Sequence, residues 1–384
     1  MTTRRRGTRA ALVLVTIGAL TLAGCGGDDD PASKKSDLEV VVNPDESSVE
    51  GVAVPERRFF AADSPWNTRI DGAGVDDRSA QMIGLARERV GVVQRNGTEE
   101  LVTQRRIVND GVYINTERWT TAVVAGGQPT KLVCRQIVCG DGADTTTLSI
   151  PSDVDPDPRY DGWFTVFDVS KPIAYDLWRA RREDDDTISY NFMRQWDLDG
   201  PGFQPPQSVS ARGSGLPLFA GLIRPKELEA GLINHALAIS VPGPAQSVFV
   251  EPASSTDGNG RVNSLPEGAR IRLKANVNVA RPTDPKTGKP IRMTPQQQRM
   301  SDAIVAALRT YGAIVVDRAA VPTLYAQRDV TSDMIAGNEL AGLHLDDFEV
   351  VELGGKHRFT PGSSAPPSAS SSPSPSASAS TKDN

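Results

Sequence analysis

Four side chains in this sequence could together do acid–base chemistry on a sugar: His235, Arg224, Asp176 and Asp257. Histidine is the usual proton carrier near neutral pH, two carboxylates can flank a glycosidic bond during hydrolysis, and a guanidinium can neutralise a uronate carboxylate. His235 is the best single candidate, because it follows a stretch at 212–225 whose glycines and prolines predict tight turns. If the protein is an enzyme, we expect these four to be its catalytic residues.

A second interpretation of His235 is structural. The alternation of residue types predicts a strand over 233–241 in which four residues share an apolar face: Ile233, His235, Leu237 and Ile239. There the histidine would be a hydrogen-bonded residue at the edge of a core. The sequence leaves both interpretations open.

Three aromatic strands are predicted before that stretch, at 162–168, 173–179 and 188–196. The short turns between them indicate an antiparallel meander. Aromatic rings beside charged groups suit sugars, which stack on the ring and hydrogen-bond to the charges. The candidate ligand contacts are Tyr175, Trp178, Trp163 and Arg212. The alternative is that the tryptophans fill the core, as most tryptophans do.

Four carboxylates alternate with prolines and other residues in one short segment: Asp153, Asp155, Asp157 and Asp161. Oxygen ligands of this kind suit calcium, although the segment lacks the spacing and the final glutamate of an EF-hand loop. A solvated loop without an ion is the other interpretation. Elsewhere we expect neither a metal nor a cofactor.

Two cysteines lie close together, Cys134 and Cys139. Neighbouring cysteines of exported chains usually pair, so we predict a disulfide that closes a small loop. A zinc site is not expected, because zinc takes four ligands and the sequence offers only three histidines besides.

The chain begins like a bacterial lipoprotein precursor. Four arginines precede an apolar run at 10–22, and small residues then lead to Cys25. This pattern predicts a secretory signal over 1–24, cleavage before Cys25, and acylation of its thiol with palmitate or a similar chain. The apolar run is shorter than the roughly 20 residues of a membrane span. The predicted location is the extracytoplasmic face of the cell membrane, with the lipid bilayer as a partner through Cys25.

Charge argues against one class of partner. Removing 1–24 deletes four arginines, so the formal net charge falls from −6 to −10. A protein with a net acidic surface is not expected to bind nucleic acid.

The composition divides the rest of the chain into a tether, one domain and a tail. The polar run at 25–55 and the Ser-, Pro- and Ala-rich end at 360–384 have the composition of disordered segments, and the tail could be glycosylated. Residues 56–355 show no internal linker. They predict a single mainly β domain, an antiparallel β-sandwich or jelly-roll-like fold with a few helices. The clearest helix is expected at about 295–311, where a capping box with a proline precedes apolar residues at helical spacing.

Several short segments together resemble a family of β-rich proteins and lipoproteins exported by actinobacteria. They are Ser-Pro-Trp-Asn at 64–67, Tyr-Asp-Leu-Trp at 175–178, Gly-Ser-Gly-Leu-Pro at 213–217, Leu-Ile-Arg at 222–224, His-Ala-Leu at 235–237 and Tyr-Gly-Ala-Ile-Val-Val-Asp at 311–317. The resemblance covers about 59–353. It implies one exported β-rich domain and assigns no catalytic residue.

Three classes of function are compatible with these features. The best supported is a cell-surface protein that binds polysaccharide or another wall polymer from the envelope or the environment. The second is a carbohydrate-active enzyme, either a glycoside hydrolase or a polysaccharide lyase with His235 or Tyr175 as its base. The third is a structural envelope lipoprotein without a small ligand. The sequence has no Gly-x-Ser-x-Gly elbow, His-Glu-x-x-His, P-loop or dinucleotide fingerprint, which argues against serine hydrolases, zinc proteases, nucleoside triphosphatases and Rossmann enzymes.

Overall fold

Strands dominate the computed structural model, which describes residues 57–106, 111–279, 282–284 and 287–360, with the backbone alone at 92, 105 and 106. In chain order the strands of this part are β1 Glu88–Arg95, β2 Thr98–Arg106, β3 Tyr113–Asn115, β4 Ala122–Ala125, β5 Gln128–Cys134, β6 Thr147–Ile150, β7 Phe164–Phe167, β8 Ile173–Trp178, β9 Arg181–Arg182, β10 Ile188–Tyr190, β11 Phe192–Asp197, β12 Leu237–Val241, β13 Val248–Val250, β14 Arg270–Leu273, β15 Ala313–Arg318, β16 Thr323–Tyr325, β17 Phe348–Val350 and β18 Lys356–Arg358. The α-helices are α1 Ser79–Ala86, α2 Pro225–Ala230 and α3 Pro295–Thr310, and short 3₁₀ helices occur at Asp141–Ala143, Pro158–Tyr160, Leu218–Gly221 and Leu345–Asp347. The mainly β fold class is confirmed.

Some sequence predictions concern residues outside the part of the chain that the structure describes. Cys25, the signal segment 1–24 and the tether 25–55 lie outside the described ranges, as does the tail from residue 361 onward. Within those ranges, none of the helices has both the length and the apolar character needed to cross a bilayer.

Three larger sheets form the body of the protein. Their strand orders are β17-β14-β15-β12-β16-β3, β11-β8-β7-β4 and β6-β5-β10-β9, and two further pairs are β1-β2 and β13-β18. The predicted meander is confirmed in part: β7 pairs antiparallel with β8, and β8 with β11. The third predicted strand, at 188–196, divides into β10, which pairs with β5 in another sheet, and β11. The sheets are nevertheless mixed rather than purely antiparallel, since β3 pairs with β16, β4 with β7, β5 with β10 and β12 with β15 in parallel. Parallel strands need long connections, which a pattern of short turns cannot indicate.

The six-stranded sheet has an apolar core on each face. In β15, Ala313 and Val315 pack in one core, whereas Ile314 and Val316 pack in the other. The first core is covered by α3, which contributes Met300, Ile304 and Leu308, all fully buried. The second core lies against the sheet that contains β7 and β8. This two-sided burial explains why β15 is a nearly continuous apolar run.

The helix predicted at about 295–311 is α3. Its capping box is formed, because the Gln297 N–H donates to Thr294 Oγ1 at 3.2 Å and the Thr294 N–H donates to Gln297 Oε1 at 3.0 Å. The chain leaves the helix through Gly312 at φ +68°, where a Cβ would lie 2.4 Å from the Ile271 carbonyl oxygen. Only glycine tolerates both conditions, so α3 ends at this point.

An aromatic cluster joins the six-stranded sheet to its neighbour. The ring of Phe59 stacks on Phe167 with centroids 5.1 Å apart and meets Phe219 edge-on at 5.5 Å. Trp66 is fully buried beside them and donates its indole N–H to the Gly202 carbonyl at 3.0 Å. The cluster fixes the segment around Phe59, which forms one wall of the cleft described below.

The predicted disulfide is present. Cys134 and Cys139 are bonded, with Cα atoms 6.0 Å apart, and close a loop directly after β5. This loop exposes Ile137 and Val138.

Candidate functional site

A cleft of about 1320 Å³ opens on one side of the protein. Five stretches contribute to its walls: 57–59, 117–118, 153–160, 224–235 and 327–330. Two of the four residues predicted to be catalytic, Arg224 and His235, line it. The cleft is large enough for a ligand of several sugar rings, because pockets for small ligands have volumes of roughly 300–1,000 Å³.

His235 does not lie in a strand, contrary to the predicted strand over 233–241. Strand β12 begins at Leu237, where pairing with Ala313 starts. The Nε2 atom of His235 lies 2.9 Å from Glu227 Oε1, and its Nδ1 atom lies 2.9 Å from the Ala236 carbonyl oxygen. The interaction with Glu227, which no periodicity reveals, therefore directs the imidazole into the cleft.

Arg224 completes a triad with the half-buried Glu227 and the buried His235, and is itself half-buried. Its Nη1 donates to Glu227 Oε1 at 3.2 Å, and its guanidinium lies over the Phe59 ring at 4.3 Å from the centroid. The backbone N–H of Arg224 donates to Glu227 Oε2 at 3.1 Å, which caps helix α2. Burial lowers the pKa of Arg224. Burial also pushes the pKa of Glu227 upward, but His235 and Arg224 outweigh it and bring the net pKa below its usual value.

This triad has no free proton acceptor. Both ring nitrogens of His235 face oxygen atoms, so neither is free to accept a proton from a ligand. Both oxygens of Glu227 already accept hydrogen bonds. The triad can therefore present the Arg224 guanidinium to a ligand, but neither His235 nor Glu227 is placed to remove a proton from one.

An aromatic platform stands beside the cleft, formed by Tyr160, which is half-buried and lines the cleft, and by the exposed Trp119, which packs against Tyr160. Their ring centroids are 5.5 Å apart in an edge-on arrangement. The guanidinium groups of Arg118 and Arg159 lie over the Tyr160 ring at 5.6 and 5.5 Å. Trp119 keeps 47% of its surface exposed although its backbone adopts φ 58°, which is unfavourable for a bulky residue. Such strain is typical of functional positions.

The cleft carries mixed charge. Arg159 pairs with Asp157 at 2.7 Å, Arg328 pairs with Asp329 at 2.7 Å, and Glu227 is shared in the triad. Arg118 has no carboxylate partner within the part of the chain that the structure describes. Donors and acceptors therefore alternate around the cleft instead of one sign of charge prevailing.

The structure does not gather the four carboxylates considered for calcium. Asp155, Asp157 and Asp161 pair with Arg182, Arg159 and Arg179 in turn, while Asp153 lines the cleft. No three of the four approach closely enough to share an ion. The prolines keep these side chains apart, and the local arginines neutralise them.

Asp176 is not placed for the catalytic role that the sequence suggested. It faces the core between two sheets, where Thr165 Oγ1 donates to its Oδ1 at 2.5 Å, and it does not line the cleft. Burial raises the pKa of Asp176 to about 6. Asp257, the remaining member of the predicted catalytic set, also lies outside the cleft, beside Arg318. The four residues therefore do not form one site.

The predicted ligand contacts are mostly internal. Arg212 and Trp163 are buried, with the guanidinium 3.2 Å from the centroid of the indole ring. Tyr175 is buried in the core between the two four-stranded sheets. Trp178 is half-buried, and the Arg179 guanidinium lies over its ring, 4.9 Å from the ring centroid. Trp178 does not line the cleft. The sheet is covered on both faces, which is why alternation in β8 does not produce an exposed aromatic face.

No protein-family model, curated protein or solved structure matches this chain. Sequence reasoning missed Glu227, Trp119 and Tyr160. Glu227 was detectable, because it stands at the third position of a helix that begins with Pro225 and can cap it. Trp119 lies in an irregular segment whose pattern gave no signal.

Proposed function

We propose that this chain is an extracytoplasmic lipoprotein, anchored to the cell membrane through Cys25, that binds a hydroxyl-rich polysaccharide in the cleft. The observation that carries the proposal is the platform of Trp119 and Tyr160 beside the cleft. A bulky aromatic residue that is half exposed and held in an unfavourable backbone conformation is poorly explained by packing alone.

The chemistry of the cleft supports a sugar rather than a purely anionic polymer. The apolar face of a sugar ring can stack on an aromatic ring, while its hydroxyl groups both donate and accept hydrogen bonds. Alternating arginines and carboxylates meet both needs at once. Because Asp157, Asp329 and Glu227 neutralise arginines in the cleft, a chain held only by its negative charge would find little net attraction there.

Binding is favoured over catalysis by the triad of Arg224, Glu227 and His235. Each oxygen of Glu227 and each ring nitrogen of His235 is already engaged, so the cleft offers no free base there. A carbohydrate-active enzyme is the second candidate, because the same triad lies in the cleft where a substrate would bind. A purely structural lipoprotein is the least favoured, since it has no need of so large a concave polar site.

The proposal is tested with a panel of soluble and immobilised polysaccharides, scored both for retention of the protein and for released products. We expect retention on at least one hydroxyl-rich polymer without products. Release of shorter chains would show instead that the protein is an enzyme. A protein that is not retained and releases no products would contradict both proposals.

Variants locate the binding. Trp119→Ala should weaken retention about 10-fold or more, the usual effect of removing an aromatic anchor. Trp178→Ala is the control, because Trp178 is another tryptophan with a partly exposed ring but packs beneath Arg179 instead of against Tyr160, which lines the cleft. Equal loss in both variants would contradict the assignment of the platform.

A further inference from the structure

Three carboxylates from separate parts of the chain meet beside the six-stranded sheet. Asp257 lies in the loop after β13, Glu267 precedes β14, and Asp317 is part of β15. One oxygen from each of the three lies within 4.8 Å of the other two. We call these residues the acidic cluster. It lies outside the cleft and shares no residue with it.

Within the acidic cluster, the burial and hydrogen bonding of Glu267 are the observations that indicate a ligand. Its side chain is completely buried, and its Oε1 atom has no hydrogen-bond partner among the residues described. Its Oε2 atom accepts the Asp257 N–H at 3.2 Å, which holds the carboxylate in the cluster. A buried carboxylate oxygen without a hydrogen-bond partner is costly, so a proton or a cation is needed beside it.

The nearby arginines do not supply that species. Arg212 donates to Asp317 Oδ2 at 3.1 Å, and Arg318 lies 3.2 Å from Asp257 Oδ2. Each arginine therefore serves one carboxylate and leaves Glu267 without a cation. Burial, with Asp257 and Asp317 close by, raises the pKa of Glu267 well above its usual value. Either a proton or a metal ion can relieve this repulsion.

We propose that the acidic cluster binds a calcium ion. Calcium takes oxygen ligands at 2.3–2.6 Å, so one ion can contact oxygens separated by up to about 5 Å, whereas magnesium demands shorter and stricter octahedral geometry. Three oxygens within 4.8 Å of one another fit the larger ion. Water would complete the six to eight ligands that calcium prefers.

Two features allow an ion to reach the acidic cluster and be held there. The Asp257 side chain is 41% exposed, so the site can be reached from solvent. Gly213 passes directly against Asp257, and a Cβ there would lie 2.1 Å from Asp257 Oδ1. Because Gly213 has no side chain, its backbone can lie directly against the Asp257 carboxylate. A bound ion would tie the loop around Asp257 to strand β15.

The test uses the full chain after treatment with EDTA, then returned to buffer with calcium chloride or with potassium chloride of equal ionic strength. Exported modules bind calcium at about 10⁻⁴–10⁻³ M, so millimolar calcium should raise the melting temperature by about 2–4 °C. Terbium is an independent probe. Trp163 stacks on Arg212, which bonds Asp317, so tryptophan-sensitised terbium emission should appear and be competed by calcium.

Two variants separate this site from the alternatives. Glu267→Gln should abolish both the calcium-dependent shift and the terbium emission. Asp155→Asn, in the segment that the sequence suggested for calcium, should behave like the wild type. A melting temperature that ignores calcium and EDTA would overturn the proposal, and a pH dependence of stability that differs between the wild type and Glu267→Gln would then show that a proton occupies the cluster. An unchanged calcium response in Glu267→Gln would overturn it equally.

Discussion

Asp176 should make the protein less stable as pH rises. This carboxyl is buried between two sheets, where Thr165 Oγ1 donates a hydrogen bond to it at 2.5 Å. Burial raises its pKa from 3.8 to about 6, so the folded state holds a proton more tightly than the unfolded state does. The stabilisation from that proton is complete below the unfolded pKa and is lost as pH rises through the folded pKa.

The magnitude follows from the shift. A rise from 3.8 to about 6 is about two pKa units, and at 1.36 kcal/mol per unit the bound proton contributes about 3 kcal/mol to the free energy of unfolding. Most of this should disappear between about pH 4 and pH 7. Asp176→Asn removes the titration but keeps the shape of the side chain.

The assay is urea unfolding of the wild type and Asp176→Asn at several pH values across that window. The asparagine amide makes its own hydrogen bonds, which can change the free energy of unfolding by an amount that does not depend on pH. The readout is therefore how the difference in free energy of unfolding between the wild type and the variant changes with pH. That difference should move by about 2 kcal/mol in favour of the variant as pH rises from 4 to 7. Asp197→Asn, an exposed carboxylate of the same sheet, is the control and should run parallel to the wild type. Parallel curves for Asp176→Asn as well would refute the reasoning.

Two further predictions concern the triad and the anchor. Glu227→Ala should lower the free energy of unfolding by about 3–5 kcal/mol, because it leaves Arg224 without its carboxylate partner and His235 Nε2 without the oxygen it faces; urea unfolding measures this, and truncation of Glu229, an exposed carboxylate of the same helix, should change little. Cys25→Ser should move the protein from the membrane fraction to the soluble fraction when cells are fractionated, since its acyl chains supply the anchoring. A membrane fraction that retains the variant would contradict the predicted lipidation.

Local signals predicted the features that local forces determine. The capping box of Thr294 and Gln297 predicted α3, because each residue satisfies a backbone N–H of the other within one turn. Cys134 and Cys139 are near enough along the chain to pair without help from the fold. Strands β7 and β8 of the meander are joined by a short turn whose residues are visible in the sequence, whereas β9 and β10 of another sheet intervene between β8 and β11.

Local sequence patterns could not predict the contacts between distant segments of the chain. Alternation placed His235 in a strand, whereas its hydrogen bond to Glu227 outweighs that local pattern. Arg212 and Asp317 pair across 105 residues, and Asp176 is buried because a second sheet covers β8. Which carboxylates meet and which remain solvated is decided by the packing of sheets, so the predicted catalytic set divided between separate places.

The most direct measurement of the central claim is a titration of the labelled protein with fragments of the retained polysaccharide, followed through the indole N–H signals of its five tryptophans by NMR. Trp119 is the exposed ring at the cleft, so its signal should shift in proportion to bound ligand. The signals of Trp178 and of the buried Trp196 should stay in place. A Trp119 signal that does not move while ligand binds, or a shift confined to Trp178, would contradict the account.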